Sequence, residues 1–181
     1  MSVWIKRAGV AFAITAGAIV LVGLLLGREW KVEVRHHIAA PPAEIHPWID
    51  DLRKWQAWAA WNASMDPEAK HRYEGPDHGV GATWAWDGPV MGHGRMRIVR
   101  SEVDGGVWIA EAIESATDNA EGSLTFEPDA TGTTVVWRDR GKLPPVIGGF
   151  FRKTINEMLR AHFTTGLQRL GEVVQAQQKT P

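Results

Sequence analysis

IGGFFRKTINEMLRAHFTTGLQRLGEVV, residues 147–174, decides the fold. Ile147, Phe151, Ile155, Met158, Leu159, His162, Phe163, Gly166, Leu167, Leu170 and Val174 recur at three- and four-residue steps, as the apolar stripe of a long helix does. Pro144 and Pro145 stand just before it, where a start signal belongs. The chain ahead of that helix has a different period. Strand-like segments fall at about 69–75, 80–87, 92–101, 106–114, 121–127 and 133–140. GPDHGVG, WDGP, VDGG, TDNAEG and PDATG separate them, and these are turns rich in residues that tolerate positive φ or preset a bend. VEVRHHI, residues 32–38, alternates as well and supplies a first strand, with Val32, Val34, His36 and Ile38 on one face. Short strands at this spacing imply an antiparallel meander. A sheet with one wet face must bury the other, and the 147–174 helix is the only element large enough to cover it. The fold class is therefore α+β.

Between the first strand and the meander the chain reads as two short helices. Pro41 and Pro42 fit a helix start. Pro47 implies a break near residues 47–50. Asp50 is then expected to cap a second helix carrying LRKWQAWAAW, and Asn62 to end it in a left-handed turn. On that helix Trp55, Trp58 and Trp61 stay within one face.

The chain has 181 residues, no cysteine and a net charge of -1. Disulfides and thiolate chemistry are excluded, and the charge argues against non-specific nucleic-acid binding. Residues 8–27, AGVAFAITAGAIVLVGLLLG, carry no charge and are long enough to cross a bilayer. Trp4 and Trp30 bracket this run about 39 Å apart on a helix, near the two interfaces that tryptophan prefers. The run is too long, and too poor in a small-x-small cleavage site, for a typical signal peptide. The expected organisation is an anchor at 1–29, a globular domain at 30–176 and a tail at 177–181. Lys6 and Arg7 before the run favour a cytoplasmic N-terminus, although Arg28, Lys31 and Arg35 follow it. The expectation is a single-pass membrane protein whose globular part faces the periplasm or cell exterior.

APPAEIHPWIDDLRKWQAWAAWNASMDPEAKHRYEGPDHGVGATWAWDG, then GHGRMRI, LTFEPDATGTTVVWRDRG and the terminal GLQRL resemble the SRPBCC superfamily, of the START-like or polyketide cyclase/dehydrase type. The resemblance covers about residues 30–172. It rests on the order of motifs: W-x-x-W-x-x-W, DP, Y-x-G-P, G-V-G-A and P-x-x-x-G-T. Membrane-anchored members are part of the same picture. The resemblance implies a helix-grip fold, a seven-stranded antiparallel sheet gripping the C-terminal helix around a hydrophobic cavity. It implies small apolar or lipid-like ligands. It fixes no reaction, because one fold hosts carriers, cyclases and sensors alike.

The expected ligand-lining set follows from which residues face inward. Trp55 and Trp58 are expected at the cavity rim, while Trp61, beside Asn62 at the helix end, can simply cap the core. Trp84, Trp86 and Trp137 come from the sheet, and Phe151, Ile155 and Leu159 from the helix. Ordinary core packing accounts for any one of these rings taken alone. Polar residues on apolar faces are the candidate catalytic groups: His36, Glu111, Asp139 and His162. The alternative is that Glu111 and Asp139 pair with Arg100 or Arg138. GVGATW has two glycines and opens no helix, so it is no dinucleotide loop, and zinc-ligand spacing is absent. No cofactor and no metal are expected. The partners expected are the bilayer and a small apolar or lipid-like ligand. Three functions remain open: a membrane-anchored binding or transport module, a cyclase/hydratase-type enzyme using a cavity histidine and carboxylate, and an interaction protein with a filled core.

Overall fold

The computed structural model describes residues 3 to 179. A helix, α1 (Val3–Leu25), leads into β1 (Glu29–Ile38), α2 (Pro42–Ile49), α3 (Trp55–Trp58), six strands and the long α4 (Gly148–Gln178). The strands are β2 (Lys70–Glu74), β3 (Thr83–Gly88), β4 (Gly92–Glu102), β5 (Gly106–Ile113), β6 (Ala120–Asp129) and β7 (Gly132–Lys142). They form one seven-stranded antiparallel sheet in the order β1-β7-β6-β5-β4-β3-β2. This is the helix-grip arrangement: α+β, with α4 across the inner face of the sheet.

The meander follows from turn chemistry, and β1 closes the sheet by pairing with β7 along its whole length, from Glu29 opposite Lys142 to Ile38 opposite Thr133. Strict alternation puts Trp30, Val32, Val34 and Ile38 on the buried face of β1. The outer face is polar and laced by exposed ion pairs such as Arg138–Glu33 at 2.9 Å and Arg95–Asp118 at 3.1 Å. One extra residue bulges β4 between Ile98 and Arg100, which increases local twist and helps the sheet to curl.

Several local expectations are corrected. The break expected near residues 47–50 is present, since α2 holds Pro47 in its last turn and ends at Ile49; the corrections lie beyond it. Asp50 caps no following helix. It is the C-cap of α2, and its carboxylate receives the Ser101 hydroxyl. The helix expected over LRKWQAWAAW shrinks to four residues. Asn62 does not end it in a left-handed turn. Its side chain instead donates to the Ala59 carbonyl at 2.9 Å and accepts from the Ser64 N–H at 2.9 Å. That local bonding competes with helix, as asparagine commonly does.

Among the described residues one helix, Arg7–Leu25, is long and apolar enough to cross a membrane. Trp30 does not mark the second interface. Its place in the β1 alternation turns the indole inward, where it is 6% exposed and lies over Gly141. A methyl group on Gly141 would stand 2.8 Å from the indole, so the glycine makes room for the ring.

Candidate functional site

The inner face divides into a filled floor and a polar end. The floor is built from tryptophan. Trp137 on β7 stacks on Phe163 of α4 with ring centroids 4.0 Å apart and planes 3° from parallel. Trp55 and Trp58 pack against Trp137, each at 5.6 Å, and against one another at 4.6 Å. Gly166 lets α4 approach this cluster, because a methyl group there would already be 3.2 Å from the Trp137 ring. Trp84 and Trp86 form a second pair at 5.2 Å.

The rim expected for Trp55 and Trp58 is not where they lie. They are 2% and 0% exposed. Their N–H groups are bound internally, Trp55 to the Ile49 carbonyl at 2.8 Å and Trp58 to the Trp48 carbonyl at 3.0 Å. Burying an indole requires a partner for its N–H, and the folded-back α2–α3 backbone provides one. Trp84 likewise donates to His71 at 3.1 Å and Trp86 to the Met91 carbonyl at 3.3 Å. Trp61 is the half-exposed member, set edge-on to His162 at 4.9 Å and to Phe163 at 5.9 Å.

Beyond Trp137 the sheet turns polar. Asp139 follows it on the same face of β7, and Glu111 lies two strands away on β5. Only the small residues Ala120 and Gly122 of β6 stand between them: Ala120 is opposite Glu111 and Gly122 is opposite Asp139. A methyl group on Gly122 would come within 3.4 Å of the Asp139 carboxylate. Glu111 is 6% and Asp139 7% exposed. Burial pushes the Glu111 carboxyl up to about 7. Burial first, and then the charge of Glu111, push Asp139 well above the ordinary carboxylate range, partly offset by the Arg140 backbone N–H. Two close carboxyl groups in low dielectric do not both ionise readily. Neither pairs with the arginines suggested by the sequence. Arg100 bonds to Glu102 at 2.8 Å and covers Trp108, while Arg138 bonds to Glu33, all on the outer face.

The helix over this end brings matching chemistry. Phe151, Ile155 and Leu159 share one stripe and grade from 54% exposed, through half-buried, to 9% exposed. The Asn156 Oδ1, the His162 Nδ1 and the Asp139 Oδ1 are each buried without a hydrogen-bond partner. Burial lowers the pKa of His162. Unpaired buried polar atoms are costly, and most have an explanation such as water, an ion or a ligand.

His36 does not join this group. It lies beside Gly171, eight residues beyond Phe163 on α4 and therefore about 12 Å further along the helix. Sequence reasoning missed Asn156, whose place on the stripe is disguised by charged neighbours. It also missed a buried cluster at the end of α2, where His46 Nε2 meets Ser101 Oγ at 2.8 Å and Ser101 donates to Asp50. One imidazole nitrogen faces both partners, with Asp50 at 3.9 Å. That differs from a catalytic triad, in which the two ring nitrogens serve different partners. The cluster ties α2 to β4. An open cleft of about 720 Å³ runs past Trp108, Ser123 and Arg160 and is lined as well by Gly122 and Asp139. Its Arg138 and Arg140 are already paired with Glu33 and Glu121.

Residues 29–175 match the family described as polyketide cyclase / dehydrase and lipid transport. No curated protein sequence matches the chain. Among solved structures, the chain is similar to the protein of unknown function SA2116 from Staphylococcus aureus, with a TM-score of 0.65 and 13% identity over 84% of this chain and 97% of that one. It is also similar to the di-domain ARO/CYC StfQ of the steffimycin biosynthetic pathway, with a TM-score of 0.65 and 13% identity over 83% of this chain and 52% of that one. TTHA0849 from Thermus thermophilus aligns with a TM-score of 0.58 and 18% identity over 81% of this chain and 97% of that one. At these identities the likeness is one of fold.

Proposed function

The chain belongs to the polyketide cyclase/dehydrase and lipid transport family, and on that footing we propose that it is a membrane-anchored module binding a small apolar molecule that carries a hydrogen-bonding group. One observation supports this most: polar atoms buried without a partner occur both on the inner face of the sheet (Asp139) and on α4 (Asn156, His162), the helix that covers that face and whose stripe opens toward its own start. Apolar walls with a few convergent polar groups are the usual make-up of a small-molecule site. Glu111 and Asp139, both pushed toward the protonated form by burial, offer donors and acceptors to a hydroxyl or carbonyl. Phe151, Ile155 and Leu159 supply apolar contact, and Trp137 with its neighbours forms the floor.

The test uses the full chain in detergent and an NBD-labelled fatty acid as probe. Saturable binding is expected in the wild type. Ile155→Glu should weaken it by about tenfold or more, since a charge would face the apolar tail. The urea midpoint should barely move, because Ile155 is half-exposed. A wild type with no saturable binding, or a variant that binds as well, overturns the reading.

A second reading is acid–base catalysis of the cyclase type, favoured by the pair Glu111 and Asp139 with its retained proton. One carboxyl would donate and the other accept. Glu111→Gln with probe binding intact but turnover of a polyketide-type substrate abolished would select it over simple binding. For topology we propose that the domain faces the periplasm. A reporter fused after Pro181 that works only outside the cytoplasm should then be active, and activity of a cytoplasm-only reporter would reverse the orientation.

A further inference from the structure

The globular domain exposes its larger apolar side chains unevenly. Ile147, Phe150 and Phe151, at the start of α4, are 61%, 47% and 54% exposed. They stand beside the end of α1. Gly23 abuts the Val146 carbonyl and the Phe150 ring so closely that a methyl group there would collide, and Gly149 meets Leu26 in the same way. Only Leu26, Gly27 and Arg28 separate α1 from β1, a reach of at most about 14 Å. Arg28 fastens this short link by donating to the Leu143 carbonyl at 3.4 Å. Whatever bilayer surface α1 meets at Leu25, the start of α4 therefore meets as well. Arg28, Lys142, Arg152 and Lys153 are all exposed around it, suiting anionic headgroups.

We propose that Ile147 and Phe150 are seated in the headgroup–acyl boundary of the bilayer that α1 spans, and that Phe151 is the gate through which an apolar ligand passes directly between that bilayer and the apolar stripe of α4 at Ile155 and Leu159. Amphipathic helix ends with aromatic and apolar side chains sit at this depth. From Phe151 the stripe runs inward one turn at a time to Ile155 and Leu159, with exposure falling at each step. The ligand need not cross water. The gate rests on the binding reading above, whereas the seat does not.

The chain has no cysteine, so single labels are clean. Phe150→Cys and, as a control at the opposite end of β7, Thr131→Cys are labelled with NBD in the full chain and reconstituted into phosphatidylcholine–phosphatidylglycerol vesicles. The label at 150 should be quenched by brominated acyl chains and shielded from iodide, and the label at 131 should behave in the opposite way. If both labels are equally open to iodide, there is no seat. If the label at 150 is shielded from both quenchers, the patch is covered by protein, a second copy of the chain included, and the proposal fails. Ile147→Glu/Phe150→Glu should slow transfer of the NBD-fatty acid from vesicles by about tenfold, with binding in detergent unchanged. Unchanged transfer rules out the gate. Absent binding in detergent overturns the ligand reading instead, and the quenching result still decides the seat.

Discussion

Trp137→Ala is expected to be the most damaging single substitution in the domain, at about 3–5 kcal/mol. The ring is 3% exposed, stacks on Phe163 at 4.0 Å and touches both Trp55 and Trp58. Its removal leaves a hole bounded by a sheet and a helix, and neither can collapse independently to fill it. Part of the loss is specific to aromatic geometry, since offset and edge-on ring pairs contribute about 0.5–1.5 kcal/mol beyond area. Total stabilities of domains run to about 5–15 kcal/mol, so the variant should be partly unfolded near body temperature. Urea unfolding of the full chain in detergent measures it. A loss below about 1 kcal/mol would show that the tryptophan floor is loosely packed and open to ligand, as the sequence reading had it.

The second large effect is a pH dependence centred on Glu111. Its carboxyl titrates near 4.5 in the unfolded chain and about 7 in the fold, because burial disfavours the charge. Between those values the folded state holds the proton and the unfolded state does not. Stability from this group is therefore complete below about 4.5 and falls as pH rises to about 7, by about 3 kcal/mol in all. Asp139 acts in the same direction. The lowered histidines His36, His46 and His162 act oppositely, losing stability as pH falls below their ordinary value. Glu111→Gln separates the two, since the histidines are common to both proteins. The variant should gain on the wild type between pH 5 and pH 8, all the more because Asp139 loses a charged neighbour. A difference independent of pH would mean that Glu111 is solvated in the fold.

The meander, the C-terminal helix and the apolar N-terminal run were legible because each rests on a period or a turn that the chain carries locally, whereas the pairing of β1 with β7 was not. Val32, Val34 and Ile38 could be assigned to one face before any partner strand was known. Pro42 opens α2 as its fixed φ dictates. Failures occurred where tertiary contacts override local preference. LRKWQAWAAW has helical spacing, yet only Trp55–Trp58 is helical. The indole N–H groups of Trp55 and Trp58 pull the segment back onto the α2 backbone. Trp30 could be read as a membrane anchor because its distance from Trp4 fits a bilayer, but strand alternation outranks that coincidence.

The candidate site shows the same division. That Glu111, Asp139 and His162 are polar intruders on apolar faces follows from periodicity alone. That Glu111 and Asp139 face one another across Ala120 and Gly122, while His36 lies with Gly171 at the far end, depends on register and on where α4 crosses the sheet. Periods and turns written along the chain fix which side chains point inward. Which of those groups meet is fixed by packing, because an interior is filled by volume and by the pairing of polar atoms. Both are settled between residues far apart in the chain, and no local pattern records them.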